Sequence, residues 1–211
     1  MNLHGGTKMI AIIDYGMGNL ASVKNALTKL GYEVVISDDA EQILRAERVI
    51  LPGVGAFEDA ISNLRQRGLD QAIDEVQRQG KPLLGICLGL QLMMSESQEN
   101  GLHKGLDLIP GRVVRFELPV QLKVPHMGWN SITPKVDSKL LAGISPESYF
   151  YFVHSYYVVL DEGAVAAAQC NYGVDFTCAI ERGNLFATQF HPEKSGTIGL
   201  QVLKNFGEIP V

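Results

Sequence analysis

Gly85-Ile86-Cys87-Leu88-Gly89-Leu90-Gln91 is the stretch from which the fold is read. It follows a short apolar run, Pro82 to Ile86, of the kind that forms a buried strand. It precedes Leu90, Leu92, Met93 and Met94, which read as the start of a helix. A cysteine flanked by glycines, G-x-C-x-G, between strand and helix has the form of a nucleophile elbow. The turn is sharp and holds its nucleophile in a strained backbone conformation, and Gly85 and Gly89 remove side chains that would crowd it. A helix N-terminus favours a thiolate, and the Leu88 N–H can receive a developing oxyanion. An isolated free cysteine is more often a small core residue. The glycines and the strand–helix setting reverse that balance for Cys87.

A nucleophile needs a base, and the base needs an orienting group. Of the five histidines, the one in His191-Pro192-Glu193 stands at the end of a strand-like run, Leu185 to Phe190. In extended backbone, residues i and i+2 point to one side, and Pro192 disfavours helix at His191. Glu193 is therefore placed to hydrogen-bond the imidazole that faces Cys87. The plainer reading is a polar strand end with a satisfied histidine.

The 211 residues suffice for one large domain with a full core, and 46% hydrophobic with 19% charged residues is ordinary for a globular enzyme. A net charge of −5 gives no reason to expect nucleic acid or an anionic membrane as partner. Three cysteines, Cys87, Cys170 and Cys178, argue against a disulfide framework and for a reducing, cytoplasmic setting. No apolar run reaches the length of a membrane-spanning helix. Met1 to Lys8 lacks the apolar centre of a signal peptide and is expected as a flexible extension, with a single domain over residues 9–211.

Outward from the elbow, the first half alternates strand and helix. Strands are expected at Met9–Ile13, Glu33–Ile36, Val49–Leu51 and Pro82–Ile86. Helices are expected at Leu20–Leu30 with Asn19 as cap, after Asp38-Asp39, at Ala56–Arg67 and at Leu69–Gln79. This is the pattern of a doubly wound, mostly parallel, flavodoxin-like α/β sheet. Ligands of such sheets sit outside the carboxyl ends of the strands, where Asp14, Pro52–Gly55 and Cys87 fall. The second half carries short strands near Val113–Phe116, Ile132-Thr133, Tyr149–Val153, Tyr157–Leu160, Val165–Gln169, Phe176–Ile180 and Leu185–Phe190, then a helix, Ile198–Phe206. This reads as an added antiparallel portion, its last hairpin closed by Arg182-Gly183-Asn184.

Pro52-Gly53-Val54-Gly55 alone is weak evidence, but beside the elbow it suggests backbone donors for an oxyanion. Val54 would give the second N–H, and Gly53 would leave the Gly53–Val54 peptide free to rotate toward it. Gly16-x-Gly18 has too few glycines for a dinucleotide site, so no nucleotide cofactor is expected. His126 and His154 are not at metal-ligand spacing with any cysteine or carboxylate, and no metal is expected. The Met127/Trp129 pair fits a core or a partner surface equally. Tyr149 to Tyr157 is an aromatic stripe, and His154-Ser155-Tyr156 at its end could offer contacts to a ligand.

Taken together, Gly85–Gln91 and Gln189-Phe-His191-Pro-Glu193, about a hundred residues apart, resemble the class I (triad-type) glutamine amidotransferases. Within them, Asp14–Leu20, Leu51–Gly55, Pro125–Asn130, Tyr151–Tyr156 and His191–Ser195 are similar to the branch formed by the glutaminase subunits of imidazole glycerol phosphate synthases. The resemblance runs from Met9 to the last helix. It implies that Cys87 attacks the glutamine side-chain amide, that His191 is general base and then acid, and that Glu193 orients it. It implies that Gly53, Gly55, Gln91, Glu99, Ser155 and Tyr156 hold glutamine, with Glu99 near its α-ammonium. It implies a separate partner, a cyclase subunit with a (β/α)₈ barrel. That partner takes the ammonia through a tunnel and docks on a face carrying Asn19, Met127, Trp129, Tyr151 and Lys194. The glutaminase subunit of pyridoxal phosphate synthase fits Pro125–Asn130 and Asp14–Leu20 poorly. A cysteine hydrolase acting alone on esters or peptides would need neither glutamine nor a partner. A binding module without chemistry is disfavoured by the presence of Cys87, His191 and Glu193 together.

Overall fold

The computed structural model of the chain describes residues 9–135, 137–161 and 165–211. The expected extension at residues 1–8 lies outside them, as does part of the turn expected at Asp161-Glu162-Gly163. Continuous apolar runs form the central strands, as required where a sheet is covered on both faces. They are β1 (Met9–Ile13), β3 (Arg48–Gly53) and β4 (Leu83–Cys87), with β2 (Glu33–Ser37) at the edge. In spatial order β2-β1-β3-β4 all run parallel. Between them lie α1 (Leu20–Lys29), α2 (Ala40–Arg45), α3 (Phe57–Gln66) and α4 (Leu69–Arg78). The left-handed Gly68, at φ 67°, separates the last two.

The period-two alternation of the strands divides the core. Ile10, Ile12, Ile50, Leu84 and Ile86 pack with Val23 and Leu27 of α1 and with Val202, Leu203 and Phe206 of α6 (Gly196–Glu208). Ala11, Ile13, Val49, Leu51 and Leu83 pack on the opposite face with Ile43, Ala60, Leu64, Ile73 and Val76 of α2 to α4.

The segment after Cys87 departs from expectation. Helix α5 covers only Leu88–Leu92, and Met94 already belongs to β5 (Met94–Ser97). Its apolar residues are all buried, so periodicity carried no signal to separate helix from strand. The short β6 (His103–Lys104) is followed by β7 (Ile109–Arg115), β8 (His126–Ser131) and β9 (Thr133–Pro134). Next come β10 (Tyr149–His154), β11 (Tyr156–Leu160), β12 (Ala166–Asn171), β13 (Asp175–Arg182) and β14 (Leu185–Thr188). The sheet continues from β4 as β14-β13-β11-β7-β5-β6. β14 is parallel to β4, and the pairs from β14 to β7 are antiparallel. This is the expected α/β fold with its antiparallel addition.

β8 was not expected, because Pro125 and Gly128 break its pattern. It pairs with β10 as a separate two-stranded ribbon. Asn19 precedes α1 but makes no side-chain capping bond, whereas Asp39 accepts one from Glu41 N–H. Pro134, expected to mark a turn, lies in β9 at the sheet margin, where proline is tolerated.

Candidate active site

Four parallel strands end on one edge of the sheet and carry the side chains there. Cys87 is the last residue of β4, with φ 56° and ψ −106°. This positive φ is costly for a residue bearing a Cβ, and such strain concentrates at functional sites. Packing enforces it. A Cβ on Gly89 would fall inside the Leu51 carbonyl, and one on Gly85 would lie 2.7 Å from Met93 Sδ and 2.9 Å from the Gly89 carbonyl. The glycines on either side of Cys87 let α5 lie directly against β3 and β4.

After β14 the chain runs through Gln189 and Phe190 to His191, and a single 3₁₀ turn, Pro192–Lys194, folds Glu193 back. His191 Nδ1 lies 2.8 Å from Glu193 Oε1, with both side chains buried. Because the carboxylate can only accept, Nδ1 carries the proton and Nε2 is left toward the cavity. Nε2 has no close partner other than the Cys87 side chain, which acts on it. Burial opposes charge on this ring, but the pull of the Cys87 and Glu193 side chains outweighs it and pushes the His191 pKa up to about 10. The loop is clamped from β10, where His191 N–H donates to Tyr151 O at 3.0 Å and Tyr151 N–H donates to Ser195 Oγ at 3.0 Å, and Ser195 Oγ in turn donates to His191 O at 2.6 Å.

Cys87 and His191 share the wall of a cavity of about 330 Å³ with Val54, Gly55, Leu88, Gln91, Glu99, Ser155 and Tyr156. This volume suits a small metabolite. Glu99 is held at the N-terminus of α3, where its Oε2 accepts from Phe57 N–H at 2.9 Å. Its neighbourhood, read as loop in the sequence, includes β5, and Ser97 Oγ accepts from the Glu99 N–H. Gly53 is the exception among the expected ligand contacts. It is buried at the end of β3 and does not line the cavity. A Cβ there would collide with the Tyr15 hydroxyl and come within 2.9 Å of Leu88 Cβ. Its small size thus serves close packing beneath the elbow, so a substitution cannot probe peptide rotation alone. Gly55, at φ 106°, is the residue of this loop whose backbone requires glycine.

Residues to which the sequence assigned no catalytic role, among them His154, expected as a possible ligand contact, complete the surroundings. Tyr15 is fully buried and its hydroxyl donates to Pro52 O at 2.9 Å. Burial, with the nearby Cys87, pushes its ionisation up. Pro125, Val153 and His154 also line the cavity. Buried Gln189 lies between Gln91 and Cys87. They lie within quoted motifs, but their contacts with the site come from residues far apart in sequence, which no local pattern shows.

Met127 and Trp129 are 64% and 56% exposed on the outer face of the β8–β10 ribbon, so the core reading of these residues does not hold. Trp129 pairs with Tyr151 across the strands, with ring centroids 6.2 Å apart, and Lys194 Nζ lies 5.9 Å from the Tyr151 ring centre. Asn19 stands apart from this row at the start of α1, which packs against the 3₁₀ turn. Among the described residues no group of three or more His, Cys, Asp or Glu side chains could hold a metal, and no helix is long and apolar enough to cross a membrane.

Comparison with known proteins places this arrangement. The family model of class-I glutamine amidotransferases matches residues 11–209. The chain belongs to that family and is an enzyme of the glutamine amidotransferase class. It is 58% identical over 200 residues to the imidazole glycerol phosphate synthase subunit HisH of Moorella thermoacetica, covering 95% of this chain and 94% of that one. The protein of the same name from Geobacter sulfurreducens is 51% identical over 205 residues, covering 95% and 98%. Among solved structures, PurLQS from Thermotoga maritima superimposes with a TM-score of 0.75 at 16% identity, covering 95% of this chain and 98% of that one. A structure described as glutamine amidotransferase gives 0.72 at 20% identity, covering 96% and 100%. At such identities these two report the shared fold.

Proposed function

We propose that the chain is the glutaminase subunit of imidazole glycerol phosphate synthase, releasing ammonia from glutamine for imidazole formation in histidine biosynthesis. The observation that carries the chemistry is the meeting of Cys87 and His191 on one cavity of small-metabolite size, with Glu193 bonded to the far side of the His191 ring. Cys87 Sγ attacks the side-chain amide carbon of glutamine. His191 takes the thiol proton through Nε2, holds it against the Glu193 carboxylate, and delivers it to the departing nitrogen as ammonia leaves. His191 then draws a proton from water, which attacks the thioester and frees glutamate. Leu88 at the start of α5 and Val54 in the β3–α3 loop supply N–H donors to the oxyanion. Gly55, Gln91, Glu99, Ser155 and Tyr156 hold the substrate. Glu99 meets its α-ammonium, because among the described residues it is the one carboxylate on the cavity wall.

The receiving partner is the cyclase subunit, a (β/α)₈ barrel, and it docks on the face of Met127, Trp129, Tyr151 and Lys194, with Asn19 at its margin. Exposed methionine and aromatic side chains around a lysine suit an interface. This face is continuous with the catalytic loop, since Tyr151 O accepts from His191 N–H. Three free cysteines fit a reducing cytoplasm.

The test is reconstitution. Mixed with the cyclase subunit and its nucleotide substrate, the chain is expected to support glutamine-driven formation of imidazole glycerol phosphate, with one glutamate released per product. Glutamate release without product in an assembled complex would overturn the reading.

A further inference from the structure

Between the cavity and the inner side of the β8–β10 ribbon lies a chain of polar side chains, buried except for half-buried Asn130, that the triad does not use. Its direction follows from groups whose roles are fixed. Asn130 Oδ1 accepts from the Ser131 N–H at 2.8 Å, so its nitrogen faces the Asn171 carbonyl at 2.9 Å and His126 Nε2 at 3.2 Å. His126 Nε2 is therefore an acceptor, and the neutral ring carries its proton on Nδ1. That N–H points at His154 Nε2, 3.0 Å away. His154 then carries its proton on Nδ1, which donates to the Tyr156 carbonyl at 2.8 Å. The far end requires the same order, because a carbonyl can only accept.

Tyr156 O also accepts from Gln91 Nε2 at 3.0 Å. The second hydrogen of that nitrogen goes to Gln189 Oε1 at 3.2 Å. With its oxygen engaged, Gln189 turns its own nitrogen to Cys87 Sγ, at 3.8 Å. Gln189 is fully buried, and Gln91 is 5% exposed. Each side-chain donor among these five residues thus meets an acceptor: from Asn130 the bonds run through His126 and His154 to the Tyr156 carbonyl, and from Gln91, which also donates to that carbonyl, they run through Gln189 to Cys87.

We propose that Gln189 donates an N–H to the Cys87 thiolate, that the Tyr156 carbonyl and Gln91 fix the amide of Gln189 in the donating orientation, and that His154, itself ordered by His126 and Asn130, holds that carbonyl in place. His126 and His154 are then positioning residues for the nucleophile. The inference rests on Cys87 being the nucleophile. A hydrogen bond to the charged form of a group favours that form, and a sulfur anion gains most from donors that are already aligned. The other titratable groups around Cys87 are His191 with Glu193 behind it, Tyr15 from the β1–α1 loop and Glu99 on the cavity wall. Phe116, Phe152, Phe176 and Tyr172 pack about the two rings of the relay. This surround disfavours a positive charge there. A second proton would also set two N–H groups against each other between His126 and His154.

The test is the pH profile of alkylation by iodoacetamide, which needs no glutamine turnover and so stands apart from failure of the glutaminase reading. Cys170 and Cys178 are buried, with burial pushing both thiols up, so the reaction reports on Cys87. Gln189→Glu, which keeps an oxygen toward Gln91 and sets another against the sulfur, is expected to move the midpoint up by about one pH unit. Alkylation at neutral pH then slows about tenfold. A second pair of variants leaves Gln189 in place. His154→Leu removes the donor to Tyr156 O and is expected to move the midpoint in the same direction, whereas His154→Asn, whose amide nitrogen reaches the Nδ1 position, restores it. A wild-type midpoint in folded Gln189→Glu, or in folded His154→Leu should the first variant not fold, overturns the proposal. Equal shifts in His154→Leu and His154→Asn overturn the ordering role.

Discussion

At the residue scale, the account turns on one buried ion pair. Glu193 accepts from His191 Nδ1 and leaves Nε2 toward Cys87, the atom that in the proposed reaction exchanges a proton with the thiol and the leaving nitrogen. Glu193→Gln preserves the shape but weakens the imidazolium, so its kcat is expected to fall less than that of His191→Ala. Removal of a main triad member costs roughly 10³-fold or more. Steady-state glutaminase rates of the two variants, in complex with the cyclase, check the order, and equal losses would contradict it. The same pair leaves a signature in stability. His191 has its folded pKa raised to about 10 from 6.5. The unfolded ring therefore loses its proton first as pH rises, and the stabilisation present below pH 6.5 is lost progressively toward pH 10. Urea midpoints of the wild type should decline across that window relative to His191→Ala, and parallel curves would contradict the assignment.

At the element scale, the elbow between β4 and α5 and the ribbon β8–β10 set the site. Gly89→Ala would drive a methyl group into the Leu51 carbonyl. Such overpacking costs about 1–3 kcal/mol or more, read as a lower urea midpoint, and a loss below about 0.5 kcal/mol would show that α5 yields freely. Trp129 is the single tryptophan and stands on the exposed face of the ribbon. Its emission is expected to shift when the cyclase subunit binds, and an unchanged spectrum at saturating partner would remove this face from the interface. The elements differ in how plainly the sequence announces them. The parallel half was legible because β1, β3 and β4 are unbroken apolar runs separated by glycine-stopped amphipathic helices. The elbow and His191-Pro192-Glu193 were legible because their chemistry is local. The ribbon was not, since Pro125 and Gly128 interrupt the alternation of β8. Nor were the relay of His126, His154 and Gln189 and the packing role of Gly53, which depend on contacts between residues far apart in sequence.

At the scale of the whole molecule, catalysis, the partner face and acid stability are joined through the same buried polar groups. Burial holds His126 and His154 neutral, lowering their pKa values to about 4 and about 3. Because the unfolded rings take up protons near pH 6.5 while the folded ones do not, stability falls as pH drops from about 6.5 toward 4. Imidazole proton shifts of the two rings should stay flat down to about pH 5, and a ring titrating near 6.5 would contradict the neutral relay. Docking on the proposed face of Tyr151 and Trp129 would act next to the backbone that holds His191. The chain alone is accordingly expected to be a slow glutaminase that the cyclase with bound nucleotide accelerates by roughly 10²–10³-fold, the worth of one aligned oxyanion donor. Equal kcat with and without partner would remove the coupling. The most direct test of the central claim is Cys87→Ala in the assembled complex, assayed with glutamine and then with ammonium as nitrogen source. The account predicts no product from glutamine and an undiminished rate from ammonium, and product formed from glutamine by this variant would contradict it.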